Sequence, residues 1–219
     1  MIKDWIDRRF PYRPGAGRTG DRFGLRSDTL GSPIHIGDDR SGSPDHYVMP
    51  FDGWIFWNTE EDTSWGSILR LVPDNSKETE IQVAHSVRRD GLNFPLREKY
   101  KQGQLLPVVA GNIGLASAAH SHTVWVIQYS NENYKYFLND GEFIADEKKI
   151  NEKYVRLHCD RVGMDYAKTI EAIKQQIIVW GIREVYTNFA VRKYLPLYRI
   201  PQWGEGTVII ADPMLYLDI

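Results

Sequence analysis

The sequence predicts a mainly β protein, a β-rich α+β chain with an antiparallel sheet core and a C-terminal extension that contains a helix. Three observations point there. Short aromatic and β-branched stretches between Tyr47 and Phe137 are bounded by Gly, Pro, Asn and Asp, the residues that punctuate strands. Among them, His120-Ser121-His122 runs into Thr123-Val124-Trp125-Val126-Ile127, which reads as one long strand. Farther on the period changes: Tyr166, Ile170, Ile173, Ile177 and Trp180 recur at alternating intervals of four and three, one apolar stripe along an amphipathic helix.

Taken in order, residues 1–22 carry five arginines (Arg8, Arg9, Arg13, Arg18, Arg22) and the segment Pro14-Gly15-Ala16-Gly17. They read as an extended arm, either a docking segment or a basic lead-in strand wrapped on the domain. Residues 23–145 form the expected core. Residues 40–46 are a loop in which His46 faces solvent. From Tyr47 to Trp57 the pattern turns β-rich, with Asp52-Gly53 as a hairpin turn; Ser67–Val72 and Glu80–His85 follow, separated by Pro73-Asp74-Asn75-Ser76. Trp54, Trp57 and Trp65 read as core or groove-wall residues. Arg88-Arg89-Asp90-Gly91 is a loop whose charges face solvent or meet a substrate carboxylate. Val124–Tyr129 and Tyr134–Phe137 are strands joined by Ser130-Asn131-Glu132-Asn133. Residues 146–219 make the extension: one helix, capped by Asp165 and stopped by Gly181, then a strand at Thr207-Val208-Ile209-Ile210.

Composition is that of a globular protein with enough apolar material for a core: 42% hydrophobic and 26% charged. A formal net charge of −2 gives no general basic excess, so nucleic acid is not an expected partner. The single cysteine, Cys159, forms no intramolecular disulfide and reads as a buried thiol. Charges at Lys3, Asp4, Asp7, Arg8 and Arg9 interrupt what a signal peptide would need as an apolar run, and no stretch approaches a membrane span. Neither export by a signal peptide nor a membrane anchor is expected.

The histidines carry the chemistry. On a strand, His120 and His122 point at one spot, because side chains at i and i+2 leave the same face. By itself a His-x-His pair is more often two hydrogen-bonded histidines than a site. The remaining inventory changes that balance: His35 has carboxylates at Asp38 and Asp39 behind it, and His85 closes the apolar run Val83-Ala84. Four of the six histidines therefore fall in three short segments, and the first of these also holds the candidate carboxylate ligand.

His35-x-Gly37-x-Asp39, preceded by Phe23-Gly24-Leu25-Arg26, then Trp65-Gly66, His85, Gly103-Gln104 and Ala110-Gly111-Asn112-Ile113-Gly114-Leu115-Ala116-Ser117, and finally His120-x-His122, resembles the lysostaphin-type (LytM-like) zinc endopeptidases over residues 22–130. The resemblance implies an antiparallel peptidase core with His35, Asp39 and His122 as ligands of Zn2+ and His85 and His120 as the catalytic pair. Three nitrogen or oxygen ligands with a fourth position kept for water are the usual catalytic zinc set, and imidazoles titrate in the range where zinc-activated water does. Either histidine suits the general base. Asp39 is preferred to Asp38 because the family spacing keeps Gly at the third position and Asp at the fifth; Asp38 is then a solvated or supporting carboxylate.

The resemblance further implies hydrolysis of peptide bonds in the stems or cross-bridges of bacterial peptidoglycan. Without an export signal, such an enzyme is expected to come from a phage, carried on the virion tail or released from the host cytoplasm to the wall, with the arm or the extension touching other virion proteins. The competing expectation is a structural or adhesive tail component that keeps the peptidase fold as a module.

Overall fold

The structure, a computed structural model, describes residues 18–19, 23–26, 33–41, 47–58, 64–74, 79–88, 97–128, 141–146, 149–182, 184–188, 197–201 and 207–211. In chain order the strands are β1 (Arg18–Thr19), β2 (Gly24–Leu25), β3 (Ile34–His35), β4 (Asp38–Ser41), β5 (Gly53–Asn58), β6 (Ile68–Pro73), β7 (Thr79–Ala84) and β8 (Ser86–Arg88). There follow β9 (Arg97–Tyr100), β10 (Val108–Ala110), β11 (His120–Gln128), β12 (Gly141–Asp146), helix α1 (Glu152–Val162), helix α2 (Tyr166–Trp180), β13 (Glu184–Asn188), β14 (Leu197–Pro201) and β15 (Thr207–Ala211). The chain divides into two compact units, the first comprising Met1–Asp21, Gly37–Val126 and Pro213–Ile219, the second Arg22–Ile36 and Ile127–Asp212.

In the first unit the strand order is β11-β7-β6-β5-β9. Period-two alternation explains the meander β5-β6-β7. Ile55 and Trp57, Leu69 and Leu71, and Ile81 and Val83 point inward and are buried. The antiparallel register aligns them as rows Ile55–Leu71–Ile81 and Trp57–Leu69–Val83. Each fully buried Leu or Ile contributes about 1.5–3 kcal/mol, so slipping any one of these strands by one residue would turn its inward apolar pair to the outer face and is strongly disfavoured. On the outer face, the Arg97 guanidinium lies 4.5 Å from the centroid of the Trp54 ring and 5.2 Å from that of Phe56.

Several expectations are corrected here. Asp52-Gly53 is not a hairpin turn: Gly53 sits within the ladder, between Pro73 and Tyr100, where a Cβ would lie 2.2 Å from the Val72 carbonyl oxygen. The Asp52 carboxylate instead accepts from the Gln102 N–H and from the Lys101 ammonium, both at 2.8 Å. Arg40 and Ser41 belong to β4 and not to a loop. Strands β8, β9 and β10 form where no strand was expected; Arg97-Glu98-Lys99-Tyr100 is an edge strand whose charged side chains hide its pattern and discourage further pairing. The arm before Arg18, His46, Arg89 and Tyr134–Phe137 lie outside the described residues.

In the second unit β12, β13, β14 and β15 form an antiparallel series in that order, with β15 at the expected position. Helix α2 starts and stops as expected: the Asp165 carboxylate accepts from the Lys168 N–H at 2.9 Å, and Gly181 takes a left-handed conformation, φ 63°. Ile170, Ile173 and Ile177 are buried, Tyr166 is half-buried, and Trp180 at the last turn is 38% exposed. Helix α1 is an addition to the single expected helix. Its buried residues are Val155, His158 and Cys159 while Leu157 points outward, so no apolar stripe marks it. Cys159 is buried, as expected. Among the described residues no helix is long and apolar enough to cross a membrane.

Candidate metal centre

Register builds the centre. Strand β4 pairs antiparallel with β11 so that Asp39 lies directly opposite His122 and Ser41 opposite His120. Residues facing each other across an antiparallel pair share a face, and so do i and i+2 on one strand; Asp39, His120 and His122 therefore converge. Asp39 Oδ1 lies 2.9 Å from His122 Nδ1 and 3.9 Å from His120 Nε2.

Gly37 decides which edge of the His122 ring faces the carboxylate. A Cβ on Gly37 would sit 2.6 Å from both Cε1 and Nε2 of His122 and 2.7 Å from the Thr123 carbonyl oxygen. Only a residue without a side chain lets the backbone fill that edge, which leaves Nδ1 turned to Asp39. His35, four residues ahead of Asp39, completes the set: the ligand atoms of His35, Asp39 and His122 all lie within 4.8 Å of one another. Two donors each about 2.1 Å from a tetrahedral ion stand roughly 3.4 Å apart. Two imidazole nitrogens and one carboxylate oxygen at this spacing fit a zinc ion with small side-chain adjustments, and the donor types are those zinc favours.

His85 joins the group by an unusual backbone. It is the single residue between β7 and β8 and the only non-glycine described residue with positive φ, 57°. That conformation costs an L residue about 1–2 kcal/mol. Its N–H donates to the Trp65 carbonyl at 2.9 Å and its carbonyl accepts from the Gly111 N–H at 2.7 Å, which hold the kink in place. The imidazole Nδ1 faces the Ile113 carbonyl at 2.7 Å. A carbonyl only accepts, so Nδ1 carries the proton and Nε2 the lone pair. His120 is fixed the same way, Nδ1 donating to the Ala118 carbonyl at 2.8 Å.

The His85 and His120 ring centroids are 4.6 Å apart, and those of His85 and His122 6.1 Å. Burial, then the neighbouring His120, push the His85 pKa below its usual 6.5, against the opposing pull of the Ile113 carbonyl. His85 is thus held neutral at neutral pH. The Trp65 ring packs edge-on to His122, centroids 5.1 Å apart, and so serves as a wall of the site.

Of the predicted site residues, His35, Asp39 and His122 fall in this donor group, and the His85 ring lies beside those of His120 and His122. Asp38 is not solvated; it is fully buried, with Arg40 Nε 3.5 Å from its carboxylate. Arg88 lies with its guanidinium 5.8 Å from the Trp57 ring centroid, half-buried. Sequence reasoning missed the Ile113 carbonyl that sets the His85 tautomer and the close approach that requires Gly37. The signal for the second was present in the His35-x-Gly37-x-Asp39 spacing.

No family model and no curated protein matches this sequence. Among solved structures, the chain is similar to the catalytic domain of the antimicrobial peptidase lysostaphin from Staphylococcus simulans, at 16% identity over 53% of this chain and 85% of that one, with a TM-score of 0.43. It is also similar to the catalytic domain of the prophage-encoded protein EnpA from Enterococcus faecalis, at 16% identity over 56% of this chain and 89% of that one, TM-score 0.45. A zinc-containing peptidase from Vibrio cholerae is similar at 16% identity over 57% of this chain and 37% of its own length, TM-score 0.46.

Proposed function

We propose that the chain is a zinc-dependent endopeptidase that hydrolyses peptide bonds in the stems or cross-bridges of bacterial peptidoglycan. One observation carries this reading: the His35–Asp39–His122 donor set stands beside two further imidazoles whose tautomers are already set. His35, Asp39 and His122 would hold the ion. Zinc, when bound, supplies Lewis-acid polarisation of a carbonyl and brings water into its nucleophilic form near neutral pH.

The rest falls to the chain. With Nδ1–H committed to backbone carbonyls, His85 and His120 each offer Nε2 to take a proton from attacking water or to return one to the leaving amine. Protonated, the same nitrogen donates a hydrogen bond to the developing oxyanion. Trp65 excludes water from one side of the His122 ring. The choice of peptidoglycan follows from the motif resemblance.

The purified chain is expected to hold about one zinc and to clear bacterial wall suspensions in a chelator-sensitive way, while His122→Ala loses tight zinc binding and clearing together. Clearing retained in that variant would contradict the ligand assignment. Bound zinc without hydrolysis of any of several wall chemotypes would favour the scaffold role.

A further inference from the structure

Strand β3 is two residues long, and a hairpin that short is at most marginally stable on its own. Yet it ends in His35. What holds it comes from the second unit, to which the hairpin belongs. The Ile34 N–H donates to Gln176 Oε1 at 2.9 Å, and Gln176 Nε2 donates back to the Ile34 carbonyl. Both residues are buried, Ile34 at 2% and Gln176 at 6% exposure, and they stand 142 positions apart.

Successive residues of a strand direct their N–H and C=O to opposite edges. One primary amide thus does for the outer edge of β3, at Ile34, what a neighbouring strand would do. The other arm is held as well. His158 on α1 faces the Arg26 carbonyl with Nε2 at 2.7 Å, and the Arg26 N–H closes the hairpin on the Pro33 carbonyl at 2.9 Å. A glutamine inside the apolar stripe of α2 costs desolvation unless both ends of its amide are satisfied; here the backbone next to a candidate ligand satisfies both.

We infer that Gln176 is a positioning residue for His35, so that the C-terminal helices set the metal affinity of the site. This rests on His35 being a zinc ligand, as proposed above. Groups that orient a ligand typically change metal affinity on the order of 10- to 100-fold when removed.

The test is zinc affinity by chelator competition on the full chain, with folding checked by circular dichroism and hydrogen exchange followed at the Ile34 amide. Gln176→Met fills similar space without the amide; it is expected to lose roughly tenfold or more in zinc affinity and to exchange Ile34 faster. Ile173→Val, a small cavity on the same helix, is expected to keep native zinc affinity. If Gln176→Met does not fold, Gln176→Glu decides. That variant keeps the acceptor for the Ile34 N–H but sets an oxygen against the Ile34 carbonyl, and a partial loss of affinity is expected. Native affinity in a folded Gln176 variant, or an equal loss in Ile173→Val, overturns the proposal. A native chain that takes up no zinc sinks the metal reading instead, which separates the two failures.

Discussion

Gly37 and His85 show how single residues shape the centre by opposite means. Gly37 contributes an absence, since a methyl group there would meet the His122 ring and the Thr123 carbonyl. Gly37→Ala is expected to cost about 1–3 kcal/mol of stability by overpacking and to weaken zinc binding by displacing His122; thermal melts and chelator competition measure the two effects. His85 contributes a side chain at the expense of a strained backbone. Asn tolerates the left-handed region and Val does not, so His85→Val should be less stable than His85→Asn by about 1–2 kcal/mol. Wall hydrolysis should fall in both by roughly 10²- to 10⁴-fold. Equal stability of the two variants in denaturant melts would show that the kink relaxes.

At the level of elements, the hairpin of β2 and β3 depends on helices for its place. His158 couples that dependence to pH. Burial lowers its pKa below the usual 6.5, the Arg26 carbonyl pulls the other way, and Arg161, with Nη2 3.2 Å from the His158 Nδ1, lowers it further. A histidine with a lowered folded pKa binds fewer protons in the fold than in the unfolded chain across that window. Its contribution is whole above pH 6.5 and lost as pH falls through the folded value. Stability should therefore decline below pH 6.5 more steeply in the native chain than in His158→Gln, whose amide still donates to Arg26 but does not titrate. Urea melts across that range check it, and parallel curves would place the titrating group elsewhere. Helix α2 gives the complementary lesson: its stripe and caps were legible because they repeat within a few neighbouring residues, whereas α1 buries a histidine and a cysteine and escaped notice.

For the whole molecule, a ligand that binds only the folded state stabilises it by mass action. Free zinc at about 100 times its dissociation constant adds about 2.7 kcal/mol, which for a chain of this size raises the melting temperature by roughly 5–10 °C. The native chain should show this rise, a chelator should reverse it, and His122→Ala should not show it. Scanning calorimetry with and without zinc is the measurement; identical shifts in the native chain and the variant would place the ion outside the proposed ligands.

The amino-acid sequence by itself determined what neighbours along the chain can specify: strand alternation, the helix stripe with its Asp165 and Gly181 ends, and two imidazoles on one face at His120 and His122. It also displayed a motif order that singled out Asp39 and His85. Only the tertiary structure decided that Asp39 lies opposite His122, that His85 sits at positive φ, and that Gln176 holds Ile34. The physical reason is distance along the chain. The contacts at Asp39–His122 and Ile34–Gln176 join residues 83 and 142 positions apart, and which distant segments meet, in which register, is settled by packing buried surface and not by any local period.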